Sequence, residues 1–308
     1  FIPVFEAASG NFRVGSAAFD EVLDWAHPLR DLIQFAMPNF YGSPAHHAYF
    51  DVFSGQMMPV TVNALGQPIV HTEWGIKNYV EGALYVGILP LALALYALIP
   101  LRARASGVRW VFAALGLLSL TFMFGLPTYA LLYYTLPGID QLHSPFRWVY
   151  ALTLSVAVLA GFGAQRLTPA LGSRETTDVG AASRSARWAR RLGDLIGLVG
   201  LLLLGGLLVS RLLYPQIEPL VQRIFEGLAG APERFADARM FYSYQFTNVL
   251  IFAVMLMGVG LLFRLSQPAL APARWLVGWA GPGGGLHRLR HAWQIGGLTL
   301  IALDLLIA

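Results

Sequence analysis

The chain has 308 residues, 56% of them hydrophobic and only 12% charged, with a mean hydropathy of +0.58. A soluble globular domain carries about 25% charged residues, so this composition excludes an ordinary water-soluble domain and points to an integral membrane protein. The net charge of +4 is no sign of nucleic acid, because the basic residues lie in short loops without interleaved aromatics, and the absence of cysteine excludes a disulfide framework.

Residue 1 is Phe, with no charged leader and cleavage site behind it, so the chain reads as an internal piece of a longer one. In SAAFDEVLDWAHPLRDLIQFAMP, residues 16–38, apolar residues recur at helical spacing behind Ser16 as an N-cap, and Pro28 breaks the pattern. His27, His46, His47, His71 and His143 share the early and loop segments with Asp51 and Glu73. Their spacing matches no metal-ligand pattern, and the adjacent His46 and His47 point apart on most backbones, so no metal site is assigned.

Next comes HTEWGIKNYVEGALYVGILPLALAL, starting at residue 71. Glu73, Lys77 and Glu81 are spaced by four and share one face if the helix extends back that far. Two readings follow: an ion-pair ladder at a helix start, or carboxylates at the mouth of a membrane cavity that hydrogen-bond sugar hydroxyls, hold a metal or act as a base.

Crossing about 30 Å of hydrocarbon takes roughly 20 apolar residues. Runs at 82–101, 110–126, 146–165, 195–213 and 246–265 meet that length, and a sixth begins at 295 and is still apolar at 308. Pro90 kinks the first run. The expectation is an all-α polytopic protein of about six transmembrane helices, with residues 1–81 as an extracytoplasmic segment and 82–308 as the membrane domain.

Arginine sets the orientation, because cytoplasmic loops retain Lys and Arg. Alternate loops hold 13 arginines against Glu175, Asp178 and Asp194, whereas the other flank holds eight cations against 13 acids. The first set is therefore cytoplasmic, and residues 1–81, 127–145 and 214–245 face outward. Residues 172–191 read as a flexible basic linker and 278–293, with Gly-Pro-Gly-Gly-Gly, as a turn. QIEPLVQRIFEGLAG, from 216, has the apolar spacing of an amphipathic helix for the membrane surface.

Arg147 follows Pro145 in the first turn of the third span, where the helix dipole and a guanidinium can together grip a phosphate. The competing reading is a snorkelling arginine paired with lipid phosphate or Asp140. Arg166, at the other end, serves orientation alone. Gly161 with Gly163 and Gly205 with Gly206 suit close helix packing. Asp304 is an acid inside the last run, costly there unless paired with a buried partner.

Four stretches, MPNFYGSP, EGALYVGILPLALALYAL, LPGIDQLHSPFRWVYALTLSVAVLAGFGAQRL and LIALDLLIA, occur in an order that resembles the bacterial YfhO-type membrane proteins of the GT-C glycosyltransferase superfamily. The resemblance implies a multi-pass protein of the bacterial cytoplasmic membrane that transfers a sugar from a polyprenyl-phosphate carrier to an extracytoplasmic acceptor. It implies a catalytic acid in the first outer loop, ahead of Phe1, and leaves the catalytic residues of this stretch unassigned. Arg147 then becomes the phosphate ligand, with Glu81, Glu73, Lys77 and His143 as further substrate contacts and a divalent cation as the cofactor to test. Membrane lipids, the polyprenyl-phosphate sugar and other membrane proteins are the expected partners, without nucleic acid. The alternatives are a non-catalytic structural or lipid-binding subunit and a transporter or flippase.

Overall fold

The computed structural model describes residues 17–75, 77, 79–80, 82–100, 107–136, 139, 144–167, 179–266 and 281–307, with backbone alone for 179–183 and 281–293. Ser16, Glu81, Asp140 and His143 lie outside the described residues. The fold is mostly helical. In chain order come α1 (Phe19–Leu23), a 3-10 segment (Leu29–Phe35), a hairpin of β1 (Ala48–Asp51) and β2 (Gln56–Pro59), α2 (Ile88–Leu98), α3 (Gly107–Met123) and α4 (Thr128–Thr135). A 3-10 turn (Pro145–Trp148) then leads into α5 (Val149–Leu167), followed by α6 (Val179–Leu212), α7 (Tyr214–Gly227), α8 (Ala238–Leu265) and α9 (Gly281–Ile307).

Three helical stretches, Pro145–Leu167, Arg184–Leu212 and Ala238–Leu265, are long and apolar enough to cross a membrane, and α3 with α4 makes a fourth if that pair, bent by 89°, counts as one. The run at 82–101 is not one helix. Residues 83–87 have no regular structure and α2 has 11 residues, so Pro90 falls in its first turn, which has no intrahelical N–H bond to lose, and does not interrupt the helix. The described parts of the two segments read as linker and turn, 179–191 and 281–293, are helical instead. α6 extends back to Val179 and α9 to Gly281. Alanine and arginine are strong helix formers, and Pro282 stands in the first turn of α9, where a helix tolerates it.

Helix packing depends on small residues at particular turns. A Cβ on Gly260 of α8 would lie 2.7 Å from the Gly193 carbonyl oxygen and from Gly197 Cα of α6, and one on Gly163 would lie 2.1 Å from the Leu93 carbonyl oxygen of α2. Gly163 therefore does pack, whereas Gly161, Gly205 and Gly206 face open space, contrary to expectation, because they lie off the contact stripes of their helices. Ile88, Leu93 and Tyr96 of α2 share a buried core with Val259 and Phe263 of α8.

Arg166 has more than an orienting role. It donates to the carbonyls of Tyr96 and Ile99, each at 3.1 Å, while buried Arg109 donates to Ala97 O at 3.2 Å. Two cations thus satisfy the last carbonyls of α2, the end where its dipole is negative.

A cap covers the opposite end of the bundle. Tyr41, Val60, Ile69 and Trp74 from the first part of the chain bury themselves with Phe225 of α7, Phe235 ahead of α8 and Phe241 of α8. Phe53, at the tip of the hairpin, lies 4.2 Å from Arg211 Cζ and 4.4 Å from Arg239 Cζ, and Arg211 Nε donates to Val52 O at 3.1 Å. Asp51 accepts from the Phe53 N–H at 3.0 Å, Ser243 Oγ at 3.2 Å and Arg239 at 3.3 Å. Burial pushes its carboxyl up, but those bonds, the Ser54 hydroxyl and the Arg239 charge hold it below the ordinary range.

Candidate functional site

A cavity of about 250 Å³ lies between the cap and the covered end of the bundle, and its walls include Gln34, Tyr41, Glu73, Lys77, Tyr79 and Tyr85. Each wall residue is fixed by a contact of its own. The Tyr41 hydroxyl donates to Arg30 O at 3.0 Å, and its ring meets Trp74 edge-on at 4.7 Å. Burial, with the Asp31 charge adding and Arg30 subtracting, pushes that phenol up to about 12, so it remains a hydrogen-bond donor at neutral pH. Tyr79 donates to Asn39 Oδ1 at 2.8 Å, and Asn39 O accepts from Asn248 of α8 at 3.1 Å. Tyr85 donates to Asp304 of α9.

Glu73 and Lys77 are not on a helix, since residues 71–75 and 82–87 lack helical structure, so the expected i,i+4 ladder does not form. Gly75 and the irregular backbone bring them to the same cavity by another route. Among the described residues the Glu73 carboxylate has no hydrogen-bond or ion-pair partner; its backbone N–H donates to His71 Nδ1 at 3.3 Å. Lys77 Nζ donates to Asp24 O at 3.0 Å. Burial lowers the Lys77 pKa, opposed by the charges of Asp31 and Asp24.

Arg147 is exposed in the 3-10 turn ahead of α5, close to the helix start the sequence predicted. Its Cζ lies 5.9 Å from the Phe146 ring centroid, and Lys77 Nζ lies 6.0 Å from the same centroid. One aromatic ring therefore has both cations near it, and one of them, Lys77, also lines the cavity. His27 approaches that ring too, edge-on at 6.1 Å, and its Nδ1 bonds Asp31 Oδ2 at 2.8 Å inside the protein.

Among the described residues the histidines do not converge. His46 Nδ1 pairs with the Tyr244 hydroxyl at 2.8 Å and His47 Nδ1 with Val70 O at 2.6 Å, so the neighbours do point apart. Burial, then the His47 charge, lowers the His46 pKa. Among the described residues no group of three or more His, Cys, Asp or Glu could hold a metal ion.

Sequence reasoning missed Gln34, Tyr41, Tyr79 and Tyr85 as cavity walls. A signal for Tyr41 was present in NFYGSP, but nothing in the spacing linked it to residues 73–85. Comparison of the chain with protein-family models, with curated proteins and with solved structures returns no match. Chemically, the arrangement offers two cations for an anion, a carboxylate to accept from hydroxyls, and an amide and phenols to bond a polyhydroxyl ligand.

Proposed function

We propose that the protein crosses the bacterial cytoplasmic membrane about six times with the capped face extracytoplasmic, and that it transfers a sugar from a polyprenyl-phosphate carrier in the manner of the YfhO-type GT-C proteins. The distribution of arginine supports this orientation, since Arg109 and Arg166 cap α2 at the end away from the cavity. The 11 residues of α2 rise about 17 Å at about 1.5 Å per residue, so in this reading the non-helical residues 82–87 complete a crossing that is only part helical. Non-helical backbone is tolerated at that depth where it lines a cavity, and Ala83, Leu84 and Tyr85 do so.

The observation that carries the reading is the convergence of Lys77 and Arg147 on Phe146 beside a cavity walled by Glu73 and Tyr41. In the reaction an acceptor oxygen forms a bond to the anomeric carbon as the bond from that carbon to the phosphate oxygen breaks. The phosphate leaves with the electron pair, and a carboxylate takes the acceptor's proton. Lys77 and Arg147 neutralise the departing phosphate, and Glu73 holds sugar hydroxyls.

Transfer of radiolabelled sugar from polyprenyl phosphate by the protein in nanodiscs tests this. Arg147→Ala lowers transfer by about 10- to 100-fold, the worth of a charged hydrogen bond, while membrane insertion is unchanged. Unaltered transfer would remove Arg147 from the site. Carrier binding without turnover would leave a lipid-binding subunit in place of a transferase.

A further inference from the structure

A second cavity, of about 480 Å³ and apolar, is lined by Leu89, Leu93, Leu262, Phe263, Leu298 and Ile301. It shares two walls with the polar cavity. On α9, Leu298, Ile301 and Leu305 recur at three- and four-residue steps on one face; the first two line the apolar cavity and Leu305 lines the polar one. On the other wall Tyr85 belongs to the polar cavity, and Leu89, four residues on, to the apolar one. The step from Ile301 to Leu305 is about 6 Å along the helix axis.

Asp304 occupies that step. It is 3% exposed, and its carboxylate accepts from the Tyr85 hydroxyl and, at 2.8 Å, from the Ile88 N–H. α2 has no side-chain cap of its own, because its N-cap is Gly87 at φ +88°. A Ser or Asn at an N-cap of ordinary geometry would satisfy the same N–H from within the segment. A carboxylate brought from a distant helix into apolar surroundings is a costlier solution, and what it adds is a bond across the boundary between two cavities.

We infer that Asp304 is a positioning residue that keeps the two cavities apart. While it holds Tyr85 and the first turn of α2, a polar vestibule and an apolar crevice remain separate. Released, they join into one slot that takes an amphiphile, head in the vestibule and hydrocarbon chain in the crevice. The carrier reading enters only in identifying that amphiphile as the transferase substrate.

The chain has no cysteine, so single thiols can be introduced without background. Ile301→Cys reports the apolar cavity and Ala83→Cys the polar one, each labelled with a charged, membrane-impermeant methanethiosulfonate. With Asp304 intact, Ala83→Cys reacts and Ile301→Cys does not. Asp304→Leu, similar in size but unable to accept, raises labelling at Ile301→Cys by about tenfold or more. Asp304→Asn, which keeps an acceptor for Ile88, restores most of the protection. Tyr85→Phe breaks one of the two bonds and gives a smaller rise, and it decides the matter if Asp304→Leu does not accumulate. A lower melting temperature without a rise in labelling would mark Asp304 as a structural cap and overturn the inference. Labelling needs no sugar transfer, so this result stands or falls separately from the transferase assignment.

Discussion

The cap and the helical bundle belong to one chain but are held together by different means. In the cap, Tyr41 packs edge-on and Phe40 at a tilt against Trp74, and polar atoms such as those of Asp51 and Asn39 are tied across long sequence separations. In the bundle, backbones approach until glycine alone fits, as at Gly260 and Gly163. The difference follows from the surroundings. Apolar side chains gain little by leaving lipid, so close van der Waals contact must hold the helices. In the proposed orientation the cap faces water, where it gains from burying aromatic area and must satisfy what it buries.

Three substitutions separate the two regimes. Gly260→Leu has the largest effect, because its side chain meets Gly193 O and Gly197 Cα, backbone atoms that cannot turn away. It costs about 3 kcal/mol or more and shows as loss of monodisperse protein in detergent. Normal yield would mean that α6 and α8 are not held by contact at glycine. Trp74→Ala removes a buried ring from the cap core and costs about 3 kcal/mol. Hydrogen exchange then accelerates across residues 40–75 and leaves α6 and α8 protected; acceleration throughout would merge the two regions into one cooperative unit.

The smallest effect is a pH dependence confined to the cap. His46 titrates below its ordinary 6.5 in the folded protein, so its neutral form is favoured there. The resulting stability is fully present above pH 6.5 and is lost as pH falls through the folded value. Exchange in residues 43–74 therefore quickens between about pH 7.5 and pH 5.5 after correction for intrinsic rates, and His46→Gln flattens the change. An unchanged slope in that variant would assign it to another group.

How much of this was legible in the sequence divides along the same line. Long apolar runs gave α5, α6 and α8, since length and hydropathy alone set them. The run at 82–101 misled because apolar character does not distinguish an irregular segment inside protein from a helix, and what caps α2 at Ile88 is Asp304, remote in sequence. Residues 179–191 and 281–293 misled in the opposite sense: polarity and glycine concealed helices that continue from apolar neighbours. Asp304 stood out as a charge within an apolar run, although its partners could not be named. The site was half visible. Glu73, Lys77 and Arg147 were identified by charge beside apolar runs, but their proximity comes from a backbone path around Gly75 and from Phe146, and helical periodicity placed the first two on a face that does not form.

The most direct test of the central claim is binding of polyprenyl phosphate to the nanodisc-reconstituted protein, followed by native mass spectrometry, for the unaltered chain, Glu73→Gln, Lys77→Met and Arg147→Ala. The account predicts a bound carrier that survives Glu73→Gln and is weakened about tenfold or more by loss of either cation. Equal binding by all four proteins would show that the cations at Phe146 do not hold the phosphate, and would remove the capped cavity as the site of transfer.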